Sequence, residues 1–547
     1  MKKQDSQFGK WLFILTLSFV IVRLPSFWLG LAEDEQVWTL SSMVPNGFQY
    51  AVIEHPPLTT FLYSLVGFSG NWRLLHIIPL IFSVGIFIFA VLLARKYYGK
   101  TAAIWTAAIM TVSTWAILAA AQVDMDGSVV PFWGIASLYF FLEGLEKKSV
   151  KNYVLSGIFL GIGFWAKTSL ILFLGSFFLY TLWLIFIEKK AYRQFISSGL
   201  VYLISLGIYA LFPLYSFITH DPLYAITQQH ASEYFNNFFS QNLLSVFSIM
   251  VQAIVLMSPL LLFLFLYSLI KPGKKDVIFF IVPIVYVFFY LFIATPSFRP
   301  FERYWMPAIP FMAILGGKTI SNWNLKKPDY IKIIAGSVVI LAIFTLLSLF
   351  LRPELFPVHP KELYISKVLS LQWNFLFPFH GASGPLGFFI PFWAIPVAFV
   401  VCAFCLFMIW KNKLFKPAAI IFLSVAIGIN LFMDSEFLLS TTTPNINSVQ
   451  SQVTSYALSH DLKKPIYIYE GTAHYFLNHT DVSVTEFNAV DRDNKPLFDE
   501  IKNGGTVLVV DFPSATRDSA MWQTLMTCKT DYKVIEKGHD IGYVFTC

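Results

Sequence analysis

The sequence predicts an α-helical integral membrane protein with about thirteen transmembrane helices, followed by a C-terminal α/β water-soluble domain. Three observations carry that prediction. The first is composition: the 547 residues are 56% hydrophobic, 18% aromatic and only 13% charged, where a soluble globular chain runs near 45–50% apolar and about 25% charged. This balance, with a mean hydropathy of +0.64, excludes a soluble enzyme, and it is the opposite of what a disordered scaffold needs. The second is the recurrence of apolar runs close to 20 residues long, each enough to cross a hydrocarbon core of about 30 Å. The third is that Lys and Arg gather on alternate loops, as the positive-inside rule requires of a multi-span chain.

Taken in order, the runs centre on 11–29, 74–94, 102–119, 128–142, 153–166, 169–187, 197–218, 244–270, 277–295, 304–317, 333–351, 388–410 and 417–433, of which the fifth and tenth are short. The first begins after Met-Lys-Lys but no small-x-small cleavage site precedes Glu33, so it reads as a span and not as a removed signal peptide. One set of loops holds 22 basic residues, from Lys2 and Lys3 through Lys411, Lys413 and Lys416, and the alternate set holds 6: Lys167, Arg299, Arg303, Arg352, Lys361 and Lys367. The 22-charge side is therefore expected in the cytoplasm with the N-terminus, and thirteen crossings put the C-terminus outside. The net charge of +7 is accordingly a signal of topology and not the footprint of a nucleic-acid partner.

Two domains follow: residues 1–434 form the membrane part, with a first outer loop over 30–72, and residues 435–547 form the outer α/β domain, with 9 basic and 14 acidic residues. Within the latter, Pro465–Tyr469 and Thr506–Asp511 have buried-strand patterns, and 448–459 and 516–527 are helix-like. Cys528 and Cys547 lie in this domain, where an oxidising compartment permits a disulfide. Cys402 and Cys405 sit inside an apolar span as core residues. There is neither a P-loop nor a Gly-rich dinucleotide fingerprint, and no internal repeat is obvious.

Chemistry is concentrated at the outer ends of the spans. The loop 30–72 carries Glu33, Asp34, Glu35 and Glu54 without a single Lys or Arg. It contains Glu54-His55-Pro56-Pro57-Leu58, whose prolines fix an extended backbone ahead of an apolar stretch, Leu58–Gly67, that reads as an interfacial helix. A second outer loop, Gln122-Val-Asp124-Met-Asp126, is so short that both carboxylates stay at the bilayer boundary, where charge is costly and faces a cavity or a bundle interior. The plain reading of Asp126, and less so of Asp124, is a cap on the next helix.

These motifs at this spacing, an Asp34-Glu35 pair after the first span, His55-Pro56-Pro57-Leu58 some twenty residues on, and an Asp in the second outer loop, resemble glycosyltransferase family 39, the dolichyl-phosphate-mannose protein mannosyltransferases, and their relative the bacterial lipid A aminoarabinose transferase. The resemblance covers the whole chain in architecture. It implies a C-type glycosyltransferase fold, a polyprenyl-phosphate sugar as donor, and a bacterial inner-membrane location. On it, Asp34 matches the catalytic acid, Glu35 completes the pair, and Asp124, or alternatively Asp126, matches the second-loop aspartate. His55 stands where the aminoarabinose transferase has Lys, as in the protein mannosyltransferases, which counts against copying aminoarabinose specificity. Arg303-Tyr304-Trp-Met-Pro307-Ala-Ile-Pro310 resembles the family's basic/Tyr-x-x-Pro-x-x-Pro stretch, and Trp165-Ala-Lys167-Thr168-Ser169 resembles its Thr-Lys turn. Arg303, Tyr304 and Lys167 thus become phosphate contacts, against ordinary snorkelling to the headgroups; Arg23 and Arg73 are further basic candidates. No cofactor is required by this reading. The one metal the resemblance implies is a zinc ion at Glu54 and His230, and two ligands are fewer than a closed structural zinc site uses.

The expected reaction is inverting transfer of a glycosyl group to lipid A, another glycan or a protein at the outer face. A lipid phosphate is already a good leaving group, so cations that stabilise it and a carboxylate that orients or deprotonates the acceptor suffice. A transporter or flippase of lipid-linked saccharides is the alternative from another class; it calls for mid-span charges and internal repeats. The outer segment 352–387, with Arg352, Lys361, Lys367, Trp373, His380 and a Gly-Ala-Ser-Gly-Pro run, reads equally as a movable cover or as a structural loop.

Overall fold

The computed structural model describes the chain except residues 1, 32–34, 36–37, 39–54, 68, 70, 221, 223, 226, 230–242, 271, 294–301, 356–360, 380–387, 470–476, 478–483, 488–490 and 511–518. Its helices are α1 (Lys2–Arg23), α2 (Leu58–Gly67), α3 (Ile77–Tyr98), α4 (Lys100–Val112), α5 (Thr114–Ala121), α6 (Val129–Lys147), α7 (Val150–Phe164), α8 (Ile171–Phe186), α9 (Gly199–Thr219), α10 (Leu243–Ile270), α11 (Val277–Phe288), α12 (Ile309–Ser321), α13 (Lys327–Leu351), α14 (Lys361–Leu369), α15 (Ala394–Trp410), α16 (Phe415–Leu439), α17 (Ile446–Ser459), α18 (Lys495–Lys502) and α19 (Ala520–Leu525). A helix occupies each of the thirteen places expected of a span, and α2 is the expected interfacial helix. By length and composition, eight helical stretches among the described residues are long and apolar enough to cross a bilayer, or nine when the bent pair α4–α5 counts as one. The chain is a multi-pass membrane protein; the full count of thirteen crossings is not reached on this criterion because α7, α11, α12 and α15 are short.

Two compact units divide the chain. The first comprises 1–27, 41–337 and 401–430, and the second 28–40, 338–400 and 431–547. In the first unit close helix contact is built on small residues, as in other lipid-embedded bundles. Gly157 and Gly161, one turn apart on α7, lie against Ile204 and Ile208 of α9. Gly317 of α12 lies against the backbone of Ala102 and Thr106 in α4. Large apolar side chains such as Leu203, Phe217, Ile334 and Leu346 are exposed and meet lipid.

Two helix breaks shape the region that carries the second outer loop. Between α4 and α5 the axis bends by 64° at Ser113, which is extended (φ −74°, ψ 120°). In α10 the residue before Pro259, Ser258, takes φ 55° and ψ 171°. A break inside the bilayer orphans carbonyls before it and N–H groups after it, and each must find a partner within the protein. The Arg23 guanidinium donates to the Met110 carbonyl at 2.8 Å and the Thr111 carbonyl at 3.4 Å. The Asn430 side-chain oxygen accepts the Thr114 N–H at 3.0 Å, and its amide donates to the Ser258 hydroxyl at 2.8 Å. Arg23 and Asn430 thus close the two sides of one bend, and Asn430 links that bend to the break in α10.

The second unit holds a five-stranded sheet in the order β4 (Val484–Phe487), β3 (Ile466–Tyr469), β5 (Thr506–Val509), β7 (His539–Thr546), β6 (Lys529–Glu536). β3 is parallel to both β4 and β5, whereas β7 is antiparallel to β5 and β6. Alternation along the strands feeds two cores. Tyr467, Tyr469, Val507 and Val509 pack with Phe498, Ile501, Met521 and Leu525 of α18 and α19. Ile466, Ile468 and Leu508 pack with Val449, Val453 and Ala457 of α17. Cys528 and Cys547 are disulfide-bonded, with Cα atoms 4.5 Å apart. The same unit contains a hairpin of β1 (Leu376–Phe379) and β2 (Phe388–Pro391), so the run expected to be helical from 388 is strand first and helix only from Ala394. Lys367 of α14 pairs with Glu354 at 2.7 Å, while His380 and the Gly-Ala-Ser-Gly-Pro run lie outside the described residues.

Candidate active site

Three pieces of the first unit bring charge together. The loop 122–127 follows α5, Lys167 precedes a 3₁₀ turn over Thr168–Leu170, and Arg303 and Tyr304 lie in the 3₁₀ turn Glu302–Ala308 ahead of α12. Lys167 Nζ lies 2.7 and 2.9 Å from the two carboxylate oxygens of Asp126. Arg303 Nη1 lies 3.0 Å from Asp124 Oδ2, and its Nε 3.6 Å from Asp126 Oδ2. Both aspartates are 2% exposed and both cations 8% exposed. A cation this deep needs a counter-ion, and a carboxylate likewise, because desolvation of either alone costs several kcal/mol. Two of each make a neutral quartet. Burial pushes the Asp126 carboxyl above its ordinary value; Lys167 pulls it back down, the Asp124 charge raises it again and Arg303 lowers it.

An aromatic wall closes one side. Lys167 Nζ stands 4.5 Å and the Arg303 guanidinium 5.4 Å from the centre of the Tyr304 ring, which stacks on Tyr290 at 5.0 Å. Over the negative face of such a ring a cation is attracted without a further hydrogen bond.

The acidic loop is fixed from beneath. Tyr63 of α2 donates its hydroxyl to the Asp124 carbonyl at 2.9 Å, and the His76 ring meets the Ala121 carbonyl at 2.7 Å through Nδ1. Asp124 Oδ1 accepts the Met125 N–H at 2.6 Å. Gly127 approaches the backbone of α5 so closely that a Cβ there would lie 2.7 Å from Ala119 Cα. The first residue of α2, Leu58, donates its N–H to the Trp165 carbonyl at 2.9 Å, so the same short helix touches the loop of the aspartates and the turn before Lys167.

The structure therefore brings together Asp124, Asp126, Lys167, Arg303 and Tyr304. Neither aspartate caps α6, whose N-cap is Ser128 with no side-chain cap, and neither cation snorkels. His55 is half-buried at the head of α2. Arg23 is placed elsewhere, on the carbonyls of the helix bend, where its guanidinium serves the backbone. Glu35 is 1% exposed in the second unit. Asp34, Glu54 and His230 lie outside the described residues, and among the described residues no three His, Cys, Asp or Glu side chains group as metal ligands would. Sequence reasoning passed over Tyr63, Tyr290, His76 and Gly127. Tyr63 alone left a signal: it lies on the face of α2 that Thr59, Thr60 and Gly67, three or four residues away, also bury.

Residues 54–217 match the family model described as dolichyl-phosphate-mannose-protein mannosyltransferase. No curated protein sequence matches the chain. Two solved structures of ArnT from Cupriavidus metallidurans are similar to it. The apo form is 17% identical with a TM-score of 0.58, and the form bound to undecaprenyl phosphate is 16% identical with a TM-score of 0.57. The alignments cover 99% and 98% of this chain and 98% of each neighbour. At such identities the likeness is one of fold, and the fold is that of the C-type glycosyltransferases.

Proposed function

We propose that this membrane glycosyltransferase moves a glycosyl group from a polyprenyl-phosphate carrier to an envelope acceptor at the outer face, with inversion at the anomeric carbon. The observation that carries the reading is the buried quartet of Asp124, Asp126, Lys167 and Arg303 against Tyr304. Its family context is the mannosyltransferase match over 54–217, and the fold is shared with a protein whose solved form holds undecaprenyl phosphate. In transfer the bond between the anomeric carbon and the phosphate oxygen breaks, and its electron pair leaves with the phosphate. The acceptor oxygen forms the new bond from the opposite face and gives up its proton. Lys167 and Arg303 stabilise the charge that develops on the departing phosphate, which a preorganised cation pair does without reorganisation cost. Asp124 and Asp126 keep that pair charged and in place until the phosphate arrives. Asp34, with Glu35 beside it in sequence, is the carboxylate that orients the acceptor and takes its proton.

The charges gather at helix ends and loops and not at mid-span, which favours an enzyme over a carrier. The outer-face assignment draws support from the Cys528–Cys547 bond, since such bonds persist in oxidising compartments, and from the loop charges, whose bias favours a cytoplasmic N-terminus. The acceptor belongs to the class of lipid A, other glycans or proteins. Mass spectrometry of envelope lipids and glycoproteins from cells carrying the wild-type chain or Asp34→Asn tests the reading. The variant inserts normally, and one glycoconjugate loses the mass of a single sugar. An unchanged set of masses would turn the reading towards a transporter.

A further inference from the structure

The Asn430 side chain sits where two broken helices meet. It lies on α16 in the part of that helix that belongs to the first unit, and Asn430, Thr114 and Ser258 are each fully buried. Every hydrogen-bonding position of its amide is taken. Oδ1 accepts the Thr114 N–H at 3.0 Å and the Thr114 hydroxyl at 3.3 Å. Nδ2 donates to the Ser258 hydroxyl at 2.8 Å and to the Ala426 carbonyl, one turn back on α16, at 2.7 Å. An amide offers two acceptor and two donor positions, whereas a carboxylate only accepts and an alkyl chain does neither. Asp and Leu, of nearly the same size, therefore cannot serve both partners.

Those partners belong to the two halves of the candidate site. Thr114 opens α5, whose eight residues lead into the loop of Asp124 and Asp126. Ser258 is the break in α10, and α10 packs against both α5 and the turn Glu302–Ala308 that carries Arg303. At about 1.5 Å per residue α5 is about 12 Å long, so a tilt of about 5° about its Thr114 end moves the carboxylate loop by about 1 Å. The His76 ring holds the far end of α5 at the Ala121 carbonyl; Asn430 holds the near end and also reaches α10.

We infer that Asn430 is a positioning residue for the phosphate-binding cations: by joining the bend before α5 to the break in α10, it sets Asp124 and Asp126 in register with Arg303. The inference rests on the proposed phosphate-binding role of Lys167 and Arg303. Cations preorganised for a developing charge lose their advantage when displaced, and a misplacement of about 1 Å costs on the order of a hundredfold in rate.

The test uses the full chain in proteoliposomes. Binding of a polyprenyl phosphate without sugar and turnover of a polyprenyl-phosphate sugar are measured beside thermal unfolding. Ser258→Ala removes the link to α10, together with a 3.3 Å contact from the Leu260 N–H, and leaves the cap on Thr114. It is expected to melt near wild type, yet to bind and turn over about threefold less well. Asn430→Leu removes link and cap, and both readouts fall about tenfold or more. The double variant is no worse than Asn430→Leu, because the two substitutions break one link. Wild-type binding in folded Asn430→Leu, or losses that multiply in the double variant, overturns the inference. If Asn430→Leu does not accumulate, Ser258→Ala decides: weaker binding with unchanged melting supports the link, and wild-type binding or a loss that tracks melting overturns it. Wild-type binding of polyprenyl phosphate in the charge-balanced variant Lys167→Met with Asp126→Asn overturns the underlying reading instead, so the two failures are distinguishable.

Discussion

The two acidic segments of this chain are held by opposite means. The loop of Asp124 and Asp126 is fixed through its charges and its backbone together: each carboxylate has a cation within 3.0 Å, and Tyr63 and Gly127 seat the main chain beneath. The segment of Gly30 and Leu31 is held at its backbone by neutral amide side chains of α17. The first arrangement leaves its carboxylates compensated and spent on cations. The second grips the peptide groups of Gly30 and Leu31 with uncharged side chains. On the proposed mechanism, the compensated carboxylates of the first kind are those that keep Lys167 and Arg303 charged.

The largest effect that separates the two comes from uncompensating the quartet. Lys167→Met leaves Asp126 with Arg303 as its nearest cation, at 3.6 Å, and should cost about 3–5 kcal/mol, measured by thermal unfolding in detergent. Adding Asp126→Asn removes the orphaned charge, and most of the loss should return. If the single variant melts with wild type, the quartet is not an interdependent set.

A glycine in each segment gives the next comparison. At Gly127 a new Cβ meets main chain, 2.7 Å from Ala119 Cα and 2.8 Å from its carbonyl oxygen, and the backbone of α5 has nowhere to go. At Gly30 it meets only the ends of the Asn447 and Gln450 side chains, which swing away. Gly127→Ala should therefore cost about 1–3 kcal/mol, as overpacking does, and Gly30→Ala well under that by the same melting measurement. Equal costs would show that the α17 contact is as rigid as the membrane loop.

The smallest expected effect lies in the sheet domain. The Lys529 ammonium, 2.8 Å away, and then the Thr546 hydroxyl hold the Asp531 carboxyl below its ordinary value of 3.8. A carboxyl lowered on folding adds stability that is present above its unfolded value and is lost as pH falls through the lowered one. Urea unfolding of the full chain at falling pH should therefore show a slightly steeper acid loss for wild type than for Asp531→Asn. Lys529 is largely exposed and water screens its charge, so the difference is small.

Much of this was written in hydropathy and spacing. Every expected span carries a helix, Leu58–Gly67 is a helix with those bounds, and β3 and β5 differ from expectation by one or two residues. What the sequence concealed was set by partners far away in the chain. The bend at Ser113 depends on Arg23 and on Asn430, which is 316 residues from Thr114, and nothing local marks it. Phe388-Phe389-Ile390 reads equally as helix or strand, and pairing with Leu376–Phe379 decides for strand. Basic residues scarce on one side of the membrane were recognisable as important. That Lys167 and Arg303 are engaged by aspartates, and that Arg23 serves a helix bend, depends on side-chain depth, which periodicity does not encode.

The glycine face of α7 has a consequence for how the chain is made. At about 1.5 Å per residue, the 15 residues of α7 reach about 22 Å, short of the hydrocarbon thickness. Its seating depends on Ile204 and Ile208 filling the grooves at Gly157 and Gly161. Those isoleucines lie on α9, which leaves the ribosome only after α8 has been synthesised. During insertion α7 must therefore wait, beside the translocon or against α6, for a partner two helices downstream, and the order of synthesis becomes part of how this membrane bundle closes.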